Sequence, residues 1–171
     1  MKNGFLKVAV TTPDLRVADC EYNKNQMVEK VKKMAGEKVS LVCFPEFSLT
    51  GYTCGDLFLH DTLVEGAKDA LAAYCEETKS YEIVSVVGLP LDHNVAAVIY
   101  GGKILGFVPK SYLPNYSEFY EARQFVEAPA ENGEHLWKEG ESVPFGANLI
   151  FTHKKYHRFS FGIELCEDLC T

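Results

Sequence analysis

With 171 residues and a net charge of −7, the chain has room for one domain with an ordinary core. Its 47% apolar and 12% aromatic content are those of a folded globular protein rather than a disordered one. The acidic balance argues against a nucleic-acid partner, and no apolar run approaches the ~20 residues needed to span a bilayer. No signal peptide opens the sequence, so the expected location is the cytoplasm, where six cysteines are expected as reduced thiols.

Residues 5–10 form a β-rich opening run, ended by Thr11-Thr12-Pro13. Asn23 is placed to cap a helix in which Met27, Val31 and Met34 recur at i, i+4 and i+7, with Gly36 at its end. Residues 39–44 are almost continuously apolar, as in a strand covered on both faces. Strand, helix, strand predicts a βαβ unit with parallel neighbours. Past Pro45-Glu46-Phe47 comes a loop rich in turn formers, residues 50–56. Thr62-Leu63-Val64-Glu65 has capping-box spacing and predicts a helix packed through Leu63, Ala67, Ala70, Leu71 and Tyr74. Residues 82–89 read as another strand, stopped by Gly88 and Pro90, and residues 95–108 as a hairpin turning on Gly101-Gly102. Residues 126–142, around Trp137, read as an irregular loop before strand character resumes over 143–151. The basic run from His153 to Arg158 is the solvated tip of a hairpin, and residues 159–165 a last short strand ending at Cys166. There is no repeat and no linker.

Three ionisable residues share one address, just past a predicted strand end, where open α/β sheets bind ligands. Each alone has a plain reading: Glu46 a solvated loop acid, Lys110 a surface amine, Cys166 a buried structural thiol. Only the thiolate is a strong nucleophile, and an ordinary cysteine, with pKa about 8.5, is mostly thiol at neutral pH. Glu167 and Asp168 beside Cys166 would raise that pKa further, so a nucleophilic Cys166 needs a cation and a base from elsewhere. Lys110 can supply the cation and Glu46 the base. The aromatic segment 115–125, with its acids and Arg123, suits the wall of a small-molecule pocket. Cys166 and Cys170 lack the second close pair of a structural zinc site, and no metal is expected.

The order Glu46, Lys110, Cys166 resembles that of the nitrilase, or carbon–nitrogen hydrolase, superfamily. More narrowly, Phe44-Pro45-Glu46-Phe47-Ser48-Leu49-Thr50-Gly51-Tyr52 with Gly55-Asp56-Leu57-Phe58 is similar to the glutaminase domains of glutamine-dependent NAD synthetases. So are Pro109-Lys110-Ser111-Tyr112-Leu113-Pro114-Asn115-Tyr116 with Glu118-Phe119-Tyr120-Glu121, and Glu164-Leu165-Cys166-Glu167-Asp168. The resemblance implies an α/β fold of the nitrilase kind, an αββα four-layer sandwich, incomplete at its C-terminal side. Residues 1–171 would be a partial glutaminase domain, with the downstream ATP-dependent synthetase domain absent. The same resemblance implies a catalytic triad of Glu46, Lys110 and Cys166, and a glutamine pocket lined by Tyr52, Tyr116, Phe119 and Glu167. It implies hydrolysis of glutamine through a thioester, with ammonia passed to the synthetase domain that amidates deamido-NAD. ATP and magnesium would serve that domain, no cofactor would be held by these residues, and the assembly would be a homo-oligomer. A truncated domain is expected to expose apolar sheet surface, to self-associate and to turn over weakly. A stand-alone amidase of the same superfamily and a catalytically inert interaction module are the competing readings.

Overall fold

The computed structural model describes residues 5–154 and 159–170. Strand β1 (Val8–Val10), helix α1 (Cys20–Gly36) and strand β2 (Leu41–Cys43) form the expected βαβ unit, β1 and β2 being parallel. Helix α2 (Asp61–Thr78) leads to β3 (Val84–Pro90), parallel to β2. Strands β4 (Asn94–Tyr100) and β5 (Lys103–Pro109) make the hairpin on Gly101-Gly102, whose φ angles of 59° and 77° suit glycine. After the single-turn helix α3 (Glu121–Gln124), strands β6 (Gly133–Leu136) and β7 (Ser142–Phe145) complete one seven-stranded sheet, ordered β1-β2-β3-β4-β5-β7-β6. Strands β8 (Phe151–Thr152) and β9 (Ser160–Phe161) pair antiparallel as a second, small sheet.

The predicted helical stripes decide which face is covered. Met27 and Val31 of α1, and Leu63, Ala67, Ala70, Leu71 and Tyr74 of α2, share one core with Val42, Val87, Leu89, Ala97, Ile99 and Phe107 of the sheet. Each fully buried aliphatic or aromatic side chain there contributes roughly 1.5–3 kcal/mol. Within this layer the Tyr74 hydroxyl donates to Ser85 Oγ at 2.8 Å, so neither buried oxygen is orphaned. On the opposite face Leu149, Phe151, Ile163 and Leu165 pack over Val86, Ala96 and Val108. Gly106 makes room for them: a Cβ there would lie 2.9 Å from Leu149 Cδ1 and 3.2 Å from the Phe151 ring. The layers run helices, main sheet, second sheet. Towards β1 that second face is open, with Val8 exposed and Val10 84% exposed.

Several predicted boundaries move, each because a tertiary contact outweighs the local signal. Asn23 does not cap α1; Asp19 does, its Oδ1 accepting the Tyr22 N–H at 3.1 Å. Asn23 is fully buried in the helix, where its amide bonds the Arg16 backbone at 2.7 and 2.8 Å and the Leu49 carbonyl at 3.0 Å. Gly36 is the last residue of α1, as expected, and the left-handed residue beyond it is Lys38, at φ 60°. Helix α2 starts at Asp61 after His60, so Thr62 lies inside it and no capping box forms. The loop over 50–56 is a compact 3₁₀ segment, Tyr52–Leu59. Gly88 does not stop β3; it sits within the strand opposite Ala96. The segment 126–142 is not all loop, since β6 pairs with β7 as a polar edge strand. Residues 159–165 keep only two strand residues. The expected hairpin tip falls between β8 and β9, and its residues 155–158 lie outside the described residues. Among the described residues no helix is long and apolar enough to cross a membrane.

Candidate active site

Beyond β2 the chain turns through Pro45-Glu46-Phe47 directly onto β3. Gly88 permits this, because a Cβ there would meet Phe47 N at 2.4 Å and Pro45 O at 2.8 Å. The turn is bonded to the same glycine: Ser48 Oγ accepts the Gly88 N–H at 3.1 Å, and the Leu49 N–H donates to Gly88 O at 3.2 Å. Phe47 sits at φ 51°, a left-handed conformation uncommon outside glycine. Its ring is held by Phe58 and Phe125, at centroid distances of 4.7 and 5.1 Å.

Lys110 follows the last residue of β5, its N–H donating to Asn94 O at 2.9 Å. Its side chain is 0% exposed, and the ammonium donates to Glu46 Oε1 at 2.8 Å and to Glu121 Oε1 and Oε2 at 2.8 and 2.9 Å. The Asn94 amide donates to the same two carboxylates, Glu46 Oε1 at 2.5 Å and Glu121 Oε2 at 3.1 Å. Tyr52 adds a hydroxyl, 2.6 Å from Glu121 Oε1. Burial alone would push the Lys110 ammonium pKa down; the bonds to Glu121 and Glu46 outweigh it, and the value is raised. The Tyr52 hydroxyl is also raised, first by burial and then by its bond to Glu121. Asn94 Oδ1 is buried with no hydrogen-bond partner among the described residues. Aiming the amide's donors at two acids therefore leaves an acceptor unpaired, at a cost of about 1–3 kcal/mol.

Cys166 opens a short 3₁₀ turn (Cys166–Leu169) at φ 49°, and it is exposed rather than buried. Its thiol is held above the ordinary cysteine value, first by partial loss of hydration and then by the charge of Glu46. Lys110 pulls it down, Glu121 pushes it up, and the backbone N–H of Glu167 favours the thiolate. The sulfur thus lies in the field of the buried Glu46, Lys110 and Glu121 cluster. The sequence neighbours, expected to raise the thiol pKa, are instead engaged elsewhere. Glu167 Oε2 accepts the Tyr116 hydroxyl at 2.9 Å, which raises the Tyr116 pKa. Asp168 accepts backbone N–H groups from Ser111, Tyr112 and Leu165.

A cavity of about 550 Å³ adjoins the cluster, with Phe47, Tyr52, Phe119, Glu121, Arg123 and Phe125 among its walls. Tyr52 and Phe119 are among its walls, while Tyr116 is not and touches Phe119 with ring centroids 5.7 Å apart. Glu46, Lys110 and Cys166 are not in its walls; Glu121 and the Tyr52 bonded to it are common to cluster and cavity. Arg123 and Asp56 form a two-point ion pair on its wall, at 2.9 and 3.0 Å. No group of three His, Cys, Asp or Glu side chains among the described residues is arranged to hold a metal ion. The chemistry on offer is that of an amine, two carboxylates and a thiol.

Residues 7–170 match the model of the carbon-nitrogen hydrolase family. The chain belongs to that family. This carbon-nitrogen hydrolase is 36% identical over 173 residues to the glutamine-dependent NAD(+) synthetase of Mycobacterium bovis, covering 98% of the chain and 25% of that protein. It is 34% identical over 169 residues to the Aquifex aeolicus protein of the same name, covering 96% and 26%. The crystal structure of a glutamine-dependent NAD(+) synthetase from Cytophaga hutchinsonii superposes with a TM-score of 0.86 at 26% identity, over 95% of this chain and 28% of that one. An amidase from Nesterenkonia shares the fold, with a TM-score of 0.63 at 17% identity. The nitrilase-like α/β fold expected from the motifs is therefore the fold of this chain. The chain spans about a quarter of the length of the curated relatives it matches.

Two residues of the buried cluster were not among the expected site residues. Glu121 stands inside a quoted motif, yet a glutamate in an aromatic segment carries no local sign that it will be buried on Lys110. Asn94 begins β4 after Asp92-His93, where it reads as a turn residue. The signal for both was the same: a lysine in the crevice needs more than one anionic or polar partner if it is to be buried.

Proposed function

We propose that this chain carries a glutaminase activity: hydrolysis of the side-chain amide of glutamine with Cys166 as nucleophile. The observation that carries it is the fully buried Lys110 ammonium held 2.8 Å from Glu46, with the Cys166 thiol inside their combined field. Glu46 takes the thiol proton, and the Cys166 sulfur adds to the carboxamide carbon, placing negative charge on its oxygen. The Lys110 ammonium and the Glu167 N–H are the donors for that oxyanion. Collapse breaks the C–N bond, Glu46 returns the proton to the departing nitrogen, and ammonia leaves a thioester on Cys166. Glu46 then activates water, whose addition releases glutamate and restores the thiol. Glu121 fixes the ammonium without contacting sulfur in this scheme. Tyr52 and Phe119 wall the substrate, with Tyr116 and Glu167 at its polar end.

The likeness to NAD synthetases over about a quarter of their length supports a place for these residues within such a protein. The released ammonia would serve a separate domain that uses ATP and magnesium to amidate deamido-NAD, so NAD synthesis belongs to the larger protein. Self-association fits the open face at Val8 and Val10. Reaction with 6-diazo-5-oxo-L-norleucine, an electrophilic glutamine analogue, tests the assignment. The expected result is a single adduct, mapped to Cys166 and suppressed by excess glutamine. A folded sample that stays unlabelled, or is labelled equally at Cys170, would sink it.

A further inference from the structure

We propose that Asp168 is a positioning residue, whose carboxylate straps the Cys166 turn to the Lys110 loop and so sets how sulfur and ammonium face one another. Its Oδ1 accepts the N–H groups of Ser111 and Tyr112, each at 2.9 Å. Its Oδ2 accepts the N–H of Leu165 at 3.2 Å, while its own N–H donates to Leu165 O at 3.1 Å. One side chain therefore joins the residue before the sulfur to the two residues after the amine. Those segments lie more than fifty positions apart in sequence. Bonds to a charged acceptor are roughly twice as strong as neutral ones.

The turn needs such an anchor. It is four residues long, too short to stand as a helix, and it begins at a non-glycine residue with φ 49°. A second side-chain bond between the two segments, Tyr116 to Glu167, is exposed. The strap also limits the oxyanion chemistry. The N–H groups of Ser111, Tyr112 and Asp168 are all engaged. The Glu167 N–H, by contrast, favours the thiolate and so faces the sulfur.

The inference rests on Cys166 being the reactive thiol, and the chain supplies its own controls for it. Cys20, Cys54 and Cys75 are buried and report unfolding, whereas Cys170 is exposed on the same turn. Asp168→Ala and Asp168→Asn would be compared with the unaltered chain by site-resolved mass spectrometry. The measured quantity is the rate of Cys166 modification by 6-diazo-5-oxo-L-norleucine, alongside iodoacetamide labelling of all six thiols. The expected result for Asp168→Ala is a roughly ten- to hundredfold slower Cys166 reaction, with Cys170 labelling unchanged and the three buried thiols still protected. Asp168→Asn keeps an acceptor for Ser111 and Tyr112 but turns a donor towards Leu165, so its rate should fall between the two. The pH midpoint of Cys166 labelling should also fall in Asp168→Ala, as the sulfur drifts from a cluster whose burial and two carboxylates raise the thiol pKa more than the Lys110 ammonium lowers it. Rates within twofold in both variants, or exposure of Cys20, Cys54 and Cys75 in both, would overturn the positioning role. No reaction at Cys166 in the unaltered chain would instead overturn the glutaminase assignment.

Discussion

The two halves of the site are held in different ways. Glu46, Lys110, Glu121 and Asn94 form a buried polar knot in which every charged group has at least two partners, and its backbone is seated on β3 at Gly88. Cys166 is exposed, at the head of a short turn fastened by a few hydrogen bonds from Asp168 and Glu167. The carboxylates and the ammonium belong to the interior, and the thiol belongs to the surface. Substitutions in the knot should therefore damage stability and chemistry together, whereas substitutions at the turn should separate them.

The largest expected effect comes from Lys110→Met. It leaves the buried Glu121 and the partly buried Glu46 without their cation, and breaking such a pair typically costs about 3–5 kcal/mol. Urea unfolding at pH 7 would show it. In the unaltered chain the same ammonium makes stability fall at high pH. The raised Lys110 pKa gives a contribution that is complete below about pH 10.4 and fades as pH climbs through the folded-state value. Lys103→Met, on an exposed side chain, should do neither.

Next in size is Gly88→Ala. The added methyl would press on Phe47 N, and relief requires moving the Glu46 turn or bending β3, an overpacking cost of roughly 1–3 kcal/mol. Denaturant unfolding would read that loss, and, if Glu46 is the base proposed for Cys166, labelling of that thiol should slow in the same variant. If stability falls and labelling does not, Glu46 is not the base.

The pH dependence of alkylation is a finer probe. With the Cys166 pKa above its ordinary value, iodoacetamide labelling should rise with pH to a midpoint above about 8.5. Glu121→Gln removes one of the charges that raise it, so the midpoint should move down; Lys110→Met should move it up. The smallest effect belongs to Cys166→Ser. An exposed thiol replaced by a hydroxyl should change unfolding free energy by no more than about 0.5 kcal/mol while abolishing modification at that position. A large stability loss there would erase the distinction between the two halves.

How much of this was legible beforehand depended on whether a feature is local. The stripes Met27-Val31 and Leu63-Ala67-Leu71 exposed both helices, because side-chain periodicity is set by the helix itself. The Gly101-Gly102 turn was equally plain. Asn23 misled because its capping chemistry is spent on Arg16 and Leu49, partners that no window of neighbouring residues contains. Gly88 was mistaken for a stop because its function is to receive another segment's backbone. Glu46, Lys110 and Cys166 stand out in sequence by their shared position past predicted strand ends. Glu121 was not, since a buried carboxylate becomes intelligible only once its amine is in place.

Gly106 has a bearing on the sulfur that its place in mid-strand does not suggest. It is a notch in β5, four residues before Lys110, and it receives Leu149 and Phe151; Phe151 is in turn the cross-strand partner of Phe161, on the segment that delivers Cys166. The notch therefore works as a spacer gauge between the strand carrying the amine and the strand feeding the thiol. Filling it would lift the small sheet as a unit and widen the gap between the reacting groups without touching either of them.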